Sequence, residues 1–291
     1  MKLKLITLFL SLFSLSAFAG GGWPKKKGKY YIKVAGWYVE SNTHFTGDGV
    51  EGAPNVTSSL FNVNVYAEYG FTDKLTAIAY VPFFARAINN KVIDNRGNVA
   101  DGFPGESLNS IGDSQFGLKY GIYQKGKVAI ALSYIIDIPL GKTGEGEQQT
   151  LATGDGELNH IFRADVGFSL FNGDTISLYG NVYSGINVRS KDFSEELRAG
   201  LELGAGLLDK KLWIVGKFDT IQALNNGDRN LDSGNNFGLF LNNVEVTTIT
   251  PEVSYYLTKK IGLSAAISVP IAGQFVYDQP SYTGGIFIDV N

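Results

Sequence analysis

The sequence predicts an all-β fold, a closed antiparallel transmembrane β-barrel of about 12 strands arranged as an up-and-down meander. Three observations lead to this prediction. Apolar and polar residues alternate along twelve segments of about 10–14 residues, whereas strands of globular proteins usually have about 5–6 residues. Short and long connections alternate between these segments. The 15 tyrosines and 19 phenylalanines concentrate near the segment ends.

The composition of the 291-residue chain excludes several classes of protein. The chain contains no cysteine, so it has neither a disulfide scaffold nor a thiolate metal centre. Its hydrophobic residues, 44% of the total, are too many for a disordered chain. The net charge of −3 gives no electrostatic reason to bind nucleic acid, and we expect no nucleic-acid partner.

The N-terminus resembles a secretory signal peptide. Lys2 and Lys4 precede an apolar run and an A-x-A cleavage site that ends at Ala19. A membrane anchor is the alternative, but the apolar run is shorter than the about 20 residues that a spanning helix needs. We therefore expect a cleaved signal peptide over residues 1–19 and a single barrel domain over residues 20–291.

The predicted strands are identified by their alternation. In segment 59–71, Phe61 and Val63 lie on one face, whereas Asn62 and Asn64 lie on the other. Such a strand separates an apolar from a polar environment. Only a closed sheet satisfies every backbone donor in lipid, so we expect one barrel. The twelve predicted strands are 29–41, 59–71, 75–87, 112–124, 128–140, 159–171, 175–189, 195–208, 211–224, 243–257, 261–272 and 281–290.

The connections predict which side of the barrel faces outward. Short turns that alternate with longer external loops are typical of outer-membrane barrels, with the short turns in the periplasm. An even strand number then places both termini in the periplasm, and assembly would require the barrel-assembly machinery. The long connections are 42–58, 88–111, 141–158, 225–242 and 273–280.

Aromatic residues near the strand ends predict two interfacial girdles that contact outer-membrane lipid. Ordinary core packing is the alternative. The expected short-turn girdle contains Tyr69, Phe71, Tyr120, Tyr123, Phe168, Phe171, Tyr255 and Tyr256. The expected long-loop girdle contains Tyr38, Phe83, Phe84, Phe162, Tyr183, Phe218 and Tyr282.

Prolines predict irregularities in the strands, because proline cannot donate a hydrogen bond to its neighbour. Pro82, Pro139 and Pro270 each follow an apolar residue near a strand end, so we expect bulges or the barrel rim there. We also predict a β-bulge at Pro251, where the alternation changes phase. The residues expected to face lipid are Val244, Val246 and Thr248 before it and Val253, Tyr255 and Leu257 after it.

Several segments resemble one family of bacterial outer-membrane proteins, the meta-pathway-of-phenol-degradation or transporter family. The segments are YGFTDKLTAIAYVPF, IGDSQFGLKYGIY, ALSYIIDIPLGKTGEGE and ATGDGE, and the resemblance covers most of residues 65–220. Its G-D strand ending in K-Y is matched at Asp113 and Tyr120, and its apolar-P-x-G strand at Pro139 and Gly141. The resemblance implies an outer-membrane barrel for uptake of small, often aromatic or hydrophobic, compounds, and it supplies no catalytic residues.

Charged residues of both signs are expected to line the lumen. They form either a constriction that selects solutes or an ion-pair network that fills a narrow barrel. Lumen-facing Gly117, Gly121, Gly167, Gly200, Gly204 and Gly206 favour some open volume. The expected lumen residues are Lys33, Glu68, Arg86, Asp113, Lys119, Asp137, Arg163, Asp165, Arg198, Glu202, Lys217, Asp219, Glu252 and Asp289.

The sequence also bears on gating, catalysis and metal binding. Residues 20–29 are too few for a hatch like that of fatty-acid transporters, so we expect any gate in loops 88–111, 141–158 or 225–242. His160 lies in phase with lipid but lacks a serine partner, so we expect no enzyme, cofactor or metal site. Loose divalent-ion binding by the acidic loops is the alternative to ordinary solvated loop chemistry.

The sequence therefore predicts a passive channel or uptake barrel for small solutes. The first alternative is a closed barrel that displays its loops in a structural or surface-interaction role. A secreted soluble β-sandwich is the second alternative, but it predicts shorter strands.

Overall fold

A computed structural model describes residues 21–52, 56–93, 96–100, 104–173, 175–227 and 238–291. The predicted signal peptide, residues 1–19, lies outside this range. The described residues form strands and connections, and they contain no helix long and apolar enough to cross a membrane. The strands are β1 Tyr30–Ser41, β2 His44–Phe45, β3 Glu51–Gly52, β4 Ser58–Gly70, β5 Leu75–Asn89, β6 Glu106–Ser110, β7 Ser114–Lys125, β8 Val128–Ile138, β9 Asn159–Asn172, β10 Ser177–Arg189, β11 Glu196–Leu207, β12 Leu212–Ala223, β13 Glu245–Tyr256, β14 Ile261–Gln274, β15 Val276–Tyr277 and β16 Ser281–Val290.

Twelve long strands form a closed antiparallel barrel, which confirms the predicted fold class. Each strand pairs with its neighbours in the chain, in the order β1, β4, β5, β7 to β14, and β16. The sheet closes where β1 pairs with β16, from Tyr30 opposite Val290 to Val39 opposite Ser281. Closure leaves no unpaired strand edge in these twelve strands.

The two faces of the barrel differ in polarity, as the alternation predicts. Outward side chains are apolar and exposed; Leu118 and Ile214, for example, are 49% and 48% exposed. Inward side chains include buried charges such as Glu68 and Asp165, each 1% exposed. So large an exposed apolar surface is unfavourable in water and suits contact with lipid.

Most of the predicted girdle residues lie on the outer face, including Tyr69, Phe83 and Tyr282. The girdle prediction is wrong for Tyr183 and Tyr256, because both point into the lumen. Tyr183 donates a hydrogen bond to Asp219 at 2.6 Å, and Tyr256 donates one to Asp289 at 2.7 Å. Carboxylates on the inner face give these hydroxyl groups partners that the lipid face cannot offer.

The long loops contain strands that the sequence pattern missed. β6 pairs with the C-terminal part of β5, from Ala85 opposite Ser110 to Asn89 opposite Glu106. It thereby extends the ladder that β7 forms with the N-terminal part of β5. β2, β3 and β15 form a separate small sheet that joins the first and last long loops. Strands of two residues are too short to show a periodic pattern.

The proline predictions are confirmed at three positions. The register between β4 and β5 shifts next to Pro82, so that Phe83 and Phe84 are both exposed. The register between β13 and β14 shifts at Pro270. β8 ends at Ile138, immediately before Pro139.

The predicted bulge at Pro251 is wrong. β12 and β13 pair without a shift, and Gly216 lies opposite Pro251. The outward residues of β13 are Ile249, Pro251 and Val253. Val246 and Thr248 point inward, as Glu252 does, because β13 keeps one phase along its length. The irregularity lies instead on β14, next to Pro270.

Arg86 is a second correction, since it was expected in the lumen. The bulge at Pro82 reverses the alternation of β5, and Arg86 is exposed on the outer face between buried Ala85 and Ala87. An extra residue in a strand turns every later side chain to the opposite face.

Closure predicts a specific cross-link, because β1 and β16 pair only in the closed barrel. The variant Val39→Cys/Ser281→Cys, in a chain without other cysteines, should form a disulfide on oxidation. The cross-linked chain should migrate differently on a denaturing gel until it is reduced.

The matched control is Val39→Cys/Tyr282→Cys, in which the two side chains lie on opposite faces. Equal cross-linking of both variants, or none in the first when it is folded, would contradict the pairing.

Candidate functional site: the barrel lumen

The lumen contains a series of cavities. The central cavity has a volume of about 630 Å³, and two smaller cavities of about 210 and 220 Å³ follow toward the long-loop end. Tyr80 and Gln115 line both the central and the 210 Å³ cavity. Leu60 and Phe240 line both smaller cavities. Neighbouring cavities therefore adjoin one another.

Two lysines and two glutamates form a network on one wall of the central cavity. Lys217 Nζ lies 2.7 Å from Glu252 and 3.8 Å from Glu202. Lys33 Nζ lies 3.7 Å from Glu252. These four side chains come from β1, β11, β12 and β13, and all point inward because of the period-2 alternation.

Arg163 forms a second charged group across the same cavity. Its guanidinium donates two hydrogen bonds to Asp165, at 2.9 and 2.7 Å, and lies 3.6 Å above the ring centre of Tyr183. Asn181 donates a further hydrogen bond to Asp165 at 3.0 Å. The two partners hold the Arg163 side chain in one orientation.

Glu68 and Lys119 form a buried ion pair beside the cavity. Their side chains are 1% and 5% exposed, and Lys119 Nζ lies 3.2 Å from Glu68 Oε1. The Tyr66 hydroxyl donates to the same oxygen at 2.6 Å. An ion pair so far from water requires these partners to offset desolvation.

The 210 Å³ cavity has its own charged group. Arg189 pairs with Asp155 at 3.1 Å and with Glu196 at 3.0 Å, and Arg198 pairs with Glu196 at 2.6 Å. Asp137 accepts a hydrogen bond from Gln115 at 2.8 Å. Sequence reasoning missed Arg189, because it lies at the end of a strand with weak alternation.

The structure places thirteen of the fourteen predicted lumen residues inside the barrel; Arg86 is the exception, as described above. Glu68 lies beside the central cavity and is joined to it through Lys119. Asp289 also points inward, near the short-turn end. The residues that line the central cavity are Lys33, Lys119, Arg163, Asp165, Glu202, Lys217, Asp219 and Glu252, and those that line the 210 Å³ cavity are Asp113, Asp137 and Arg198.

The segment before β1, residues 21–29, folds into the short-turn end of the lumen. Gly22 N donates to Asn181 at 3.0 Å, and Lys25 N donates to Thr76 at 2.8 Å. Lys25 is 4% exposed, and its Nζ lies 3.0 Å from Asp289. The sequence predicts that these few residues cannot form a hatch like that of fatty-acid transporters, but it did not predict that they enter the lumen. A narrow lumen needs only a few residues to cover one end.

The lumen-facing glycines accommodate neighbouring groups, which corrects their interpretation as open volume. A Cβ on Gly167 would overlap the Trp23 indole, and one on Gly121 would overlap Pro24. A Cβ on Gly204 would overlap the Tyr179 ring. These glycines allow close approach of the N-terminal segment and of aromatic side chains.

The loop between β8 and β9, residues 139–158, folds over the long-loop end. Asp113 accepts hydrogen bonds from Gly141 N at 2.8 Å and from Asp155 N at 2.7 Å. Leu151, 3% exposed, packs in a cluster with Val39 and Leu60 on the far wall. Loop 141–158 is one of the three loops in which we expect any gate, and that expectation stays a prediction.

Burial also affects titration in this loop. Desolvation raises the pKa of the Glu157 carboxyl, to which Ser190 donates a hydrogen bond at 3.0 Å. Parts of the other two candidate loops, 88–111 and 225–242, lie outside the described residues.

His160, the histidine expected in phase with lipid, has a tyrosine as its partner. His160 Nδ1 shares a hydrogen bond of 2.8 Å with the Tyr134 hydroxyl near the outer surface. Within the described ranges, no three His, Cys, Asp or Glu side chains are grouped so that they could hold a metal ion.

The fold and the polar lumen define the class of protein: a transmembrane β-barrel with the architecture of outer-membrane channels. The chain resembles an outer-membrane channel of Pseudomonas putida F1 with a TM-score of 0.59 and 12% identity, over 94% of this chain and 99% of that chain. It resembles the NanC porin with a TM-score of 0.50 and 9% identity, over 89% of this chain and 99% of that chain. At these identities the likeness shows the fold alone.

No protein-family model and no curated protein sequence matches the chain. The coarser part of the sequence resemblance, an outer-membrane channel fold, agrees with the solved structures. The particular family named by the sequence motifs has no matching family model.

The buried pair predicts a large loss of stability when only its cation is removed. Lys119→Met leaves the Glu68 carboxylate buried without a cation, which should lower the free energy of unfolding by about 3–5 kcal/mol. Urea unfolding in detergent, followed by heat-modifiable gel migration, measures this loss.

The double variant Lys119→Met/Glu68→Gln should recover most of the stability, because no charge remains buried. The exposed control Lys127→Met should have little effect. A loss no larger for Lys119→Met than for this control would contradict the buried pair.

Proposed function

We propose that this protein is a passive channel for small solutes in the outer membrane of a Gram-negative bacterium. The observation that carries the proposal is the series of cavities inside the closed barrel, lined by charged and tyrosine side chains. A barrel with a purely structural role needs no aligned internal volume. The fold likeness to an outer-membrane channel supports the proposal but does not carry it.

The solutes that suit this lumen are small. A cavity of about 630 Å³ lies within the range of about 300–1,000 Å³ typical of sites for small molecules. Tyr31, Tyr66, Tyr80 and Trp37 place aromatic rings on its wall beside the ion pairs. We therefore propose solutes that combine polar groups with aromatic or apolar parts.

The orientation in the membrane is also part of the proposal. Both termini and the short turns would face the periplasm, and the long loops would face outward, as is usual for such barrels. The apolar outer face would contact lipid, and insertion would require the barrel-assembly machinery.

A closed barrel that displays its loops is the second candidate function. The observation that favours it is the covering of both ends, by residues 21–29 at one end and by the β8–β9 loop at the other. The paired charges of the lumen would then serve stability alone. Transport requires at least one of these covers to let solutes pass.

The purified protein in planar bilayers should show discrete single-channel conductance, and proteoliposomes should swell with small solutes. If the N-terminal segment limits passage, Trp23→Ala/Lys25→Ala should increase the conductance, because it removes the indole over Gly167 and the ion pair with Asp289.

The matched control is Lys26→Ala/Lys27→Ala, which changes exposed residues of the same segment. Heat-modifiable migration verifies that each variant is folded. A folded wild-type protein with neither conductance nor solute flux would exclude the channel and leave the closed barrel.

A further inference from the structure

The charges that line the cavities do not balance. Within the described residues, six cations and nine carboxylates line the cavities or pair with a lining residue. The cations are Lys33, Lys119, Arg163, Arg189, Arg198 and Lys217.

Each of these cations already has a carboxylate within 4 Å. Six carboxylates serve as their partners, namely Glu68, Asp155, Asp165, Glu196, Glu202 and Glu252. Three carboxylates then remain without an ion pair among the described residues: Asp113, Asp137 and Asp219.

The hydrogen-bond partners of these three carboxylates are neutral. Asp113 accepts from two backbone N–H groups, and Asp219 accepts from the Tyr183 hydroxyl at 2.6 Å. Asp137 Oδ2 accepts from the Gln115 amide, while its buried Oδ1 has no hydrogen-bond partner among the described residues. A neutral donor stabilises a carboxylate without cancelling its charge.

The three carboxylates are distributed along the path through the barrel. Asp113 and Asp137 line the 210 Å³ cavity, Gln115 lies between that cavity and the central one, and Asp219 lines the central cavity. A cation that enters from the long-loop end would meet an uncompensated negative charge in each of the two cavities.

We infer that the lumen selects for small cations over anions, with Asp137 and Asp219 as the residues that determine this selectivity. The inference rests on the proposed channel function and adds the charge of the solute. Charges of one sign in a narrow lumen with low-dielectric walls concentrate ions of the opposite sign and repel those of the same sign. The ion pairs contribute little to this field, since their charges cancel over a few ångströms.

The sign of the charge also restricts which organic solutes fit. Asp137 Oδ1 is an acceptor to which a ligand ammonium group, or another donor, can donate within a cavity that Leu60 and Phe240 also line. The same oxygen would repel the carboxylate group of a negatively charged solute.

The test is the reversal potential of the purified wild-type protein in a planar bilayer under an about tenfold KCl gradient, where the low-salt side limits screening. The wild-type protein should be selective for K⁺ over Cl⁻. Asp137→Asn/Asp219→Asn should lower the K⁺/Cl⁻ permeability ratio by about threefold or more, because it removes two charges and keeps the side-chain shape.

The control is Asp209→Asn, which removes the same charge from an exposed short turn and should leave the ratio unchanged. An unselective or anion-selective wild-type channel, or an unchanged ratio in the folded double variant, would overturn the inference and leave the channel function intact. A folded wild-type protein without any conductance would overturn the channel function, and the inference with it.

Discussion

Satisfaction of the backbone hydrogen bonds in lipid is the constraint on which the rest of this structure depends. Twelve strands meet it by closing the sheet at the β1–β16 pairing, where Val39 lies opposite Ser281. Once the sheet is closed, each side chain must face either lipid or lumen, and alternation decides which. The apolar outer surface and the charged interior are therefore two consequences of one requirement.

Closure with twelve strands also fixes how crowded the interior is. Such a barrel lies between small barrels that are filled by side chains and large porins that hold an aqueous channel. In this barrel, part of the lumen is filled by bulky groups that pack against glycines 167, 121 and 204. The middle of the lumen holds the central cavity. Ion pairs hold the remaining long side chains against the walls, where they leave space between them.

Much of the fold could be predicted from the sequence, because a strand between lipid and a polar lumen shows its period directly. The errors arise where a contact distant in sequence decides the outcome. The bulge at Pro82 turns Arg86 outward, and the inward hydroxyl groups of Tyr183 and Tyr256 bond carboxylates two strands away. The segment before β1 has no period at all, so its place in the lumen could not be read from the chain. The candidate lumen residues were largely predictable, whereas which of them pair with one another was not, since pairing depends on register.

The position of the N-terminal segment, residues 21–29, inside the lumen has a consequence for folding. Lys25 binds Asp289 and Asn291 in the last strand and its end, while Gly22 binds Asn181 in the middle of the chain. The contacts of Lys25 Nζ with Asp289 and Asn291 form only when the final strand has joined the first, whereas Lys25 N also bonds Thr76 on β5. The set of contacts that holds this segment is therefore complete only in the closed barrel, although the segment precedes the first strand. The ion pair between Lys25 and Asp289 therefore indicates that the barrel has closed.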